Sequence, residues 1–228
     1  MPCRGHHGRR RLTRRCGHPA LIMTPRLDML LVQAPADSSG ACLSRLGREL
    51  LSQLTAAHGF HCPVDEWTPR GCGAPRHPAL PSPWRACLSH RGLRVIAGIA
   101  TVPVGIDIEQ VRSRHRNRLS GLVACLPEAD VRHEIMASTA PLSMFYRAWT
   151  LHEALFKLDS LCGKTPHHVL GTRLSRLLPG GGAHAWQWQH ENWTVSICCQ
   201  YSLLQIRSLP RLSISKSDGL LSSPPAWQ

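Results

Sequence analysis

The segment Val104–Glu109 constrains the fold of this 228-residue chain more than any other, because apolar and acidic side chains alternate along it. Such alternation predicts a half-buried β-strand, since successive side chains of a strand point to opposite faces. Ile106 and Ile108 are then expected to face the core. Asp107 and Glu109 share the other face, about 6–7 Å apart along the strand. The segment therefore predicts a strand that presents two carboxylates on one side.

A second informative segment, Trp149–Lys157, begins about forty residues after that strand. We predict that it lies in a helix, for which Thr139 is the N-cap candidate and Pro141 a residue of the first turn. The helix is expected to run to about residue 161 and to stop at Gly163, because glycine commonly follows the last turn of a helix.

Three carboxylates are expected to meet where this strand and this helix pack together. Asp107, Glu109 and Glu153 are hard oxygen ligands of the kind that hold Mg²⁺ together with water and substrate phosphates. The alternative interpretation is structural: solvated acidic side chains on the strand, and an ordinary helix pair between Glu153 and Lys157. Only 14 of the 228 residues are acidic, and two of these stand among Val and Ile in one strand. This pattern favours a metal site for phosphate chemistry.

The remaining segments predict further strands and helices, with irregular loops at 61–83 and 110–118. Strands are expected at Leu27–Gln33, Trp84–Ser89, Leu93–Ala100, Val102–Glu109, Ala185–His190 and Trp193–Cys199. Helices are expected at Ser44–Ala57 and Leu119–Leu126. The last two strands are expected to form a hairpin that turns at Glu191 and Asn192.

The chain divides into four parts by composition and element order. Residues 1–26 carry seven arginines and no acidic residue, which predicts a disordered basic tail, or an extension ahead of a true start at Met23. Residues 27–103 are expected to form an N-terminal half, and residues 104–206 a C-terminal half that holds the carboxylates. Residues 207–228 are predicted to be a loose C-terminal tail.

Composition and cysteine spacing indicate a cytoplasmic protein with no membrane partner. No apolar run approaches the roughly 20 residues that a bilayer requires, and the apolar run at 20–23 is shorter than the core of a secretory signal. The ten cysteines show no Cys-x-x-Cys spacing. Three that lie inside apolar runs, Cys87, Cys125 and Cys198, are interpreted as small core residues in a reducing compartment.

The formal charge of +13 raises the alternative of a nucleic-acid-binding module. That alternative explains the charge but leaves the three carboxylates unused, because without a metal they would repel a phosphate backbone. A metal-dependent nuclease or phosphodiesterase would use the same carboxylates and is a second alternative.

Three segments in this order resemble the 4'-phosphopantetheinyl transferases of the surfactin-synthetase-activating type. The strand reads Gly-Ile-Asp-Ile-Glu at 105–109, and the helix reads Trp-Thr-Leu-His-Glu-Ala-Leu-Phe-Lys at 149–157. The third segment, Leu88–Gly92, is similar to the family's Ser-His turn just before a strand. The resemblance extends over 43–163 and more weakly to the strand at 193–199.

This resemblance implies an α+β fold of two similar halves packed as a pseudo-dimer, with the active site in the cleft between them. It implies a holo-[carrier-protein] synthase that transfers the phosphopantetheine arm of coenzyme A to a serine of an apo acyl or peptidyl carrier protein, releasing adenosine 3',5'-bisphosphate. Asp107, Glu109 and Glu153 would hold Mg²⁺. Glu153, directly or through a water, would accept the serine proton, and Lys157 would neutralise charge on the bridging phosphate oxygens. A monomer would suffice, and an inactive member that keeps the fold is a third alternative.

Coenzyme A is expected to contact polar and basic side chains beside these carboxylates. By the resemblance, Ser89 and His90 contact its phosphates, whereas position alone would make His90 a surface-turn histidine. Arg45 and Arg48 on the first helix are further candidates for phosphate binding, with solvated helix arginines as the alternative.

Two departures from the family pattern concern the binding of coenzyme A. The family lysine before the catalytic glutamate is His152 here, which keeps a cation near the phosphates only when it is protonated. The family's Gly-Lys-Pro appears as Gly73-Ala74-Pro75. Arg76 or Arg70 would have to replace the missing lysine.

The arginine-rich loop directly after the metal strand is expected to dock the carrier protein. Carrier proteins of this family are acidic around the modified serine, and a field of opposite charge speeds their encounter with the enzyme. The alternative is a solvated basic loop. The four arginines are Arg112, Arg114, Arg116 and Arg118.

Overall fold

The computed structural model describes residues 24–164 and 167–208. Most of the two predicted tails, including the suggested start at Met23, lies outside the described residues. Of the described tail residues, Arg26 begins the first strand, and residues 207 and 208 end the last one. Pairing with a neighbouring strand orders these residues.

Two β-sheets and four α-helices make up the described residues, which confirms the predicted α+β class. The strands are β1 (Arg26–Gln33), β2 (Arg85–Arg91), β3 (Arg94–Ala100), β4 (Val104–Gln110), β5 (His184–His190), β6 (Trp193–Cys199) and β7 (Gln205–Ser208). The helices are α1 (Gly40–Ala56), α2 (Leu119–Ala124), α3 (Ala129–Ala137) and α4 (Pro141–Leu161). Short 3-10 helices occupy Val64–Glu66, Ser113–Arg118, Val169–Gly171 and Leu174–Leu177.

The first sheet has the order β2-β3-β1-β7, with antiparallel pairs except for β7, which runs parallel to β1. Helix α1 covers one face of this sheet, and its fully buried Leu51 and Leu54 pack in a cluster with Leu30 of β1. The helix begins four residues ahead of the prediction because the Ser39 hydroxyl accepts a hydrogen bond from the amide of Cys42 and caps it.

The second sheet is antiparallel, with the order β4-β6-β5, and its first strand carries the predicted carboxylates. Ile106 and Ile108 are buried between the two sheets with Leu27 of β1, which confirms the apolar side of the alternation. The expectation of a half-buried strand is wrong. Helix α4 covers the other face, so that Asp107 and Glu109 are only 3% and 8% exposed.

Helix α4 follows the prediction except at its N-terminus. Pro141 is the first residue of the helix, and Gly163, with a φ of 75°, ends it, as expected. Thr139 is not the N-cap. The N-cap position is Ala140, and no side chain there accepts a hydrogen bond from the first backbone amides of the helix. Pro141 has no N–H, so the first turn has one fewer donor that needs a partner.

The smaller elements differ from the prediction in two places. Helix α3 was not expected, because only Ile135 of its nine residues is buried and the segment lacks a clear apolar stripe. The loops at 61–83 and 110–118 contain single 3-10 helices. The β5–β6 hairpin is confirmed, and Glu191 takes a positive φ of 52° at its turn. In the described part of the chain, helices are too short or too polar to span a bilayer.

Candidate active site

Gly105 of β4 allows helix α4 to lie directly against the second sheet. A Cβ at this position would overlap the carbonyl oxygen of Ala154 and lie 2.6 Å from the backbone nitrogen of Leu158. Only glycine permits this approach of helix backbone to strand backbone. As a result, Glu153 and Lys157 of α4 come within reach of the carboxylates on β4.

The ammonium group of Lys157 forms the centre of the site. Its Nζ donates to Oδ1 of Asp107 at 2.7 Å, to Oγ of Ser89 at 2.9 Å and to the carbonyl oxygen of Ile106 at 3.0 Å. The Ser89 hydroxyl donates to the same Oδ1 of Asp107 at 2.8 Å. Three acceptors from β2 and β4 thus fix this lysine of α4, and residues from all three segments of the resemblance meet in space.

Glu109 and Glu153 stand close enough to Asp107 for its carboxylate charge to affect both of them. Burial, followed by the nearby Asp107 carboxylate, raises the pKa of Glu109 to about 7. The same two causes raise the pKa of Glu153. Arg91 opposes the shift, because its Nε lies 2.8 Å from Oε2 of Glu109. The carboxylates therefore repel one another, and cations nearby stabilise their ionised forms.

A cavity of about 320 Å³ opens over these groups. Its lining includes the three carboxylates and a second set of positively charged or titratable side chains. That second set is Arg48, Arg70, His90, Arg91 and Lys157. Burial, then the charges of Arg70 and Lys157, lower the pKa of His90.

The carboxylates have acceptor capacity that the protein does not use. Oδ2 of Asp107 and Oε2 of Glu109 are buried without a hydrogen-bond partner, although Arg91 lies close to the latter. Among the residues that the structure describes, no group of three or more Asp, Glu, His or Cys side chains is arranged to hold a metal ion. Two unsatisfied anionic oxygens fit a hard cation that also takes oxygens from water and substrate.

Of the predicted coenzyme A ligands, Arg48, Ser89 and His90 line the cavity. Arg48 also braces the loop after α1, because its guanidinium donates to the carbonyl oxygen of Thr68 and to Ser44. Arg48 therefore holds this loop in place as well as lining the cavity.

Two predicted arginines lie elsewhere. Arg45 is exposed and pairs with Glu49 at 3.2 Å and with Asp65 at 3.5 Å. Arg76 lines a neighbouring cavity of about 380 Å³. Arg70 and Arg76 are the two candidates to replace the lysine that the Gly73-Ala74-Pro75 segment lacks. Of these, Arg70 lines the carboxylate cavity.

The expectation for His152 is corrected by the structure. The side chain is fully buried, and its Nδ1 lies 2.8 Å from the hydroxyl of Thr172, on the side of α4 that faces residues 168–174. Its Nε2 is 3.5 Å from Oε2 of Glu128. Burial, with a contribution from Arg173, lowers its pKa to about 4. His152 is therefore a neutral core residue and does not line the cavity over the carboxylates.

The arginine-rich loop folds as the 3-10 helix at 113–118 beside the N-terminal part of α4. Its His115 Nδ1 lies 2.8 Å from the Tyr146 hydroxyl, and the two rings stack. Arg114, Arg116 and Arg118 are exposed. The loop is thus anchored at its middle while its charges face solvent.

Arg91 is a site residue that the sequence interpretation missed. A signal was present, since Ser89 and Arg91 are two apart on β2 and must share a face, as Asp107 and Glu109 do on β4. What the sequence did not show is that these two faces meet across the two sheets.

Comparison with known proteins agrees with this geometry. Residues 103–198 match the family model of the 4'-phosphopantetheinyl transferase superfamily, a segment that runs from the start of β4 through α4 to β6. Among curated proteins, none matches the chain. The match and the site coincide, because Asp107, Glu109, Glu153 and Lys157 all lie within it. Over residues 103–198, then, this chain is similar to the 4'-phosphopantetheinyl transferase superfamily.

Proposed function

We propose that the protein transfers the 4'-phosphopantetheine arm of coenzyme A to a serine of an acidic apo carrier protein, with Mg²⁺ as cofactor. The observation that carries this proposal is the meeting of Asp107, Glu109, Glu153 and Lys157 in one cavity with Ser89. Superfamily membership alone implies phosphopantetheinyl transfer. The cavity adds carboxylate oxygens without a hydrogen-bond partner and several cationic side chains, which suits a pyrophosphate bound together with a metal.

The proposed step is a displacement at phosphorus. The serine oxygen of the carrier forms a bond to the phosphorus that bears the pantetheine arm, and the bond from this phosphorus to the bridging oxygen breaks. The leaving group is adenosine 3',5'-bisphosphate. Glu153 accepts the serine proton at its carboxylate, directly or through one water. Its raised pKa brings it nearer to neutral pH, where a general base works best.

Asp107, Glu109 and Glu153 would hold the metal ion. When bound, Mg²⁺ supplies charge neutralisation and polarisation of the phosphoryl group. Lys157 is held by Asp107 and Ser89 at the edge of the cavity, so its ammonium group would stabilise the charge that develops on the phosphate oxygens.

The remaining cations of the cavity would bind the ligand rather than react with it. Arg48, Arg70 and His90 line the same cavity as the carboxylates. Guanidinium groups form paired, charge-assisted hydrogen bonds with phosphate oxygens. In this proposal Arg70 replaces the lysine that the Gly73-Ala74-Pro75 segment lacks, and Arg76 and Arg45 do not contact the phosphates.

The proposal includes a pseudo-dimeric arrangement with the site in a cleft between two halves. Supporting it, the cavity draws residues from both sides of residue 103, from Ser44 to Arg91 and from Asp107 to Lys157. A reducing, cytoplasmic setting agrees with the eight described cysteines, all of which are free.

Intact-mass analysis tests the function most directly. The protein, coenzyme A, Mg²⁺ and an apo carrier protein are incubated together, and the carrier is expected to gain the mass of one phosphopantetheine arm. The Asp107→Ala variant is expected to give no gain. Release of adenosine 3',5'-bisphosphate with an unmodified carrier would assign a phosphodiesterase instead. Neither product would identify an inactive member of the fold.

A further inference from the structure

A buried polar network lies between α4 and the second sheet, outside the cavity. Thr150 of α4, Gln187 of β5 and Ser196 of β6 are 0%, 4% and 0% exposed. The proposed chemistry uses none of them. Because burying polar groups is costly unless every group is hydrogen-bonded, a complete network in this position requires explanation.

The hydrogen bonds of this network run continuously from the sheet to the helix. Nε2 of Gln187 donates to Oγ of Ser196 and to the carbonyl oxygen of Arg147, both at 2.8 Å. The Ser196 hydroxyl donates to Oγ1 of Thr150 at 2.8 Å, and Thr150 donates to the carbonyl oxygen of Tyr146 at 3.0 Å. In return, Nε of Arg147 donates to Oε1 of Gln187 at 2.9 Å.

The network adjoins the reacting groups on both elements. Ser196 stands directly opposite Asp107 in the β4–β6 register, on the same face of the sheet. Thr150 precedes Glu153 by about one helical turn and Lys157 by about two. A slide of α4 by one residue moves every side chain by about 1.5 Å along the axis. Such a slide would break the 2.7 Å bond between Lys157 and Asp107.

Apolar packing alone would hold α4 against the sheet without fixing its position along the strands. The contact of α4 with Gly105 sets how closely helix and strand approach. Hydrogen bonds are directional, however, so the bond from Ser196 to Thr150 and the bond from Gln187 to the carbonyl oxygen of Arg147 form in only one register of the helix. Reactive groups need placement to within about 0.5 Å.

We propose that Thr150, Gln187 and Ser196 are positioning residues, which fix the register of α4 on the sheet and thereby place Glu153 and Lys157 against Asp107. The expected effect on catalysis rests on the proposed function. The effect of these residues on the register of α4 does not depend on that function.

The first test compares hydroxyl-deleting and hydroxyl-keeping variants. Thr150→Val and Gln187→Met are expected to lower kcat at least about tenfold, because misplacement by about 1 Å costs this much or more. The Kd for coenzyme A should change less than threefold, by the same argument that placement rather than binding is lost. Thr150→Ser is expected to restore kcat. In a Glu153→Gln background, Thr150→Val should cause little further loss, since both act on one step.

Thr55→Val is the matched control. Thr55 is also a fully buried helix threonine, but its hydroxyl donates only to the carbonyl oxygen of Ser52 in its own helix. It lies on α1, away from the network. Its substitution should cost similar stability and leave kcat unchanged. Ser196→Ala replaces Thr150→Val in the comparison if the valine variant does not fold.

A second readout does not depend on transfer activity. An amine-reactive ester labels lysines, and peptide mass spectrometry compares Lys157 with the exposed Lys164. In Thr150→Val, labelling of Lys157 relative to Lys164 is expected to rise, because its hydrogen bonds to Asp107 and Ser89 are lost. If the proposed function fails, this labelling still decides the inference. Wild-type labelling and wild-type kcat in both network variants would show a purely structural network and overturn the proposal.

Discussion

Among single residues, Glu153 has the most direct part in the proposed transfer. We expect Glu153→Gln to lower kcat by at least about 100-fold, because a positioned general base contributes 10²–10⁴. Single-turnover kinetics with intact-mass detection measure the rate. The exposed Glu134 of α3 offers the same substitution as a control, Glu134→Gln, with no change expected. A Glu153→Gln enzyme with a wild-type rate would remove Glu153 from the mechanism.

His152 is expected to make the folded state sensitive to acid. Its folded pKa of about 4 lies below the ordinary value, so the unfolded state takes up a proton first as the pH falls. The stabilisation is complete above about pH 6.5 and is lost between there and about pH 4, at up to about 1.4 kcal/mol per pH unit. Urea unfolding of wild type and His152→Gln across this range measures the slope.

In His152→Gln the free energy of unfolding should fall less steeply with acid. His133 lies exposed on α3, so that His133→Gln should keep the wild-type slope. Equal slopes in all three proteins would show that His152 does not titrate differently on folding.

The sequence predicts a site residue when its position depends on local structure, and fails when the position depends on contacts between distant segments. Asp107 and Glu109 were predictable because strand alternation is local and fixes which side chains share a face. His152 was not, since its partner Thr172 comes from a segment twenty residues later that covers the back of α4. Arg91 needed knowledge of how β2 and β4 face each other.

For elements, the approach of α4 to β4 depends on one glycine. Gly105→Ala is expected to displace the helix, destabilise the fold by about 1–3 kcal/mol or more through overpacking, and abolish transfer. Gly121 of α2 is the matched control, since an added Cβ there meets nothing within 4 Å. Gly121→Ala should be neutral or stabilise by up to about 1 kcal/mol, because alanine favours helix. Denaturant unfolding of both variants measures the difference.

If Gly105→Ala unfolds with the same midpoint as wild type, the helix does not need the glycine to pack.

The elements also differ in how well the sequence predicts them. Strong elements such as α1, α4 and β6 were predicted within a few residues, because their periodicity is clear. Helix α3 was missed because one buried side chain, Ile135, holds it in place through tertiary contact rather than through a sequence pattern.

For the whole molecule, charge distribution is expected to govern the encounter with the carrier. Reversing Arg114 and Arg116 to glutamate should lower the association rate for an acidic carrier and leave coenzyme A binding nearly unchanged. Added salt should reduce the difference, because screening weakens the wild-type field. Stopped-flow association at several salt concentrations measures this.

A control with the same change in net charge separates local from global effects. Arg85 lies at the end of β2 away from Ser89, and Lys164 follows the far end of α4 from His115; both are exposed. Their reversal to glutamate should leave the carrier rate much closer to wild type. Equal defects in both double variants would show that net charge, not the loop, controls association.

The parallel pairing of β7 with β1 has a consequence for how the protein is made. The ribosome releases β1 first, yet its outer edge stays open until residues 205–208 have been synthesised and return to it. Throughout that interval the nascent chain presents an unpaired strand edge, a known template for intermolecular pairing. The first sheet is thus completed late in synthesis, after both sheets' other strands have been made. An incomplete chain therefore does not contain a finished N-terminal sheet, because that sheet lacks one of its four strands until residues 205–208 are present.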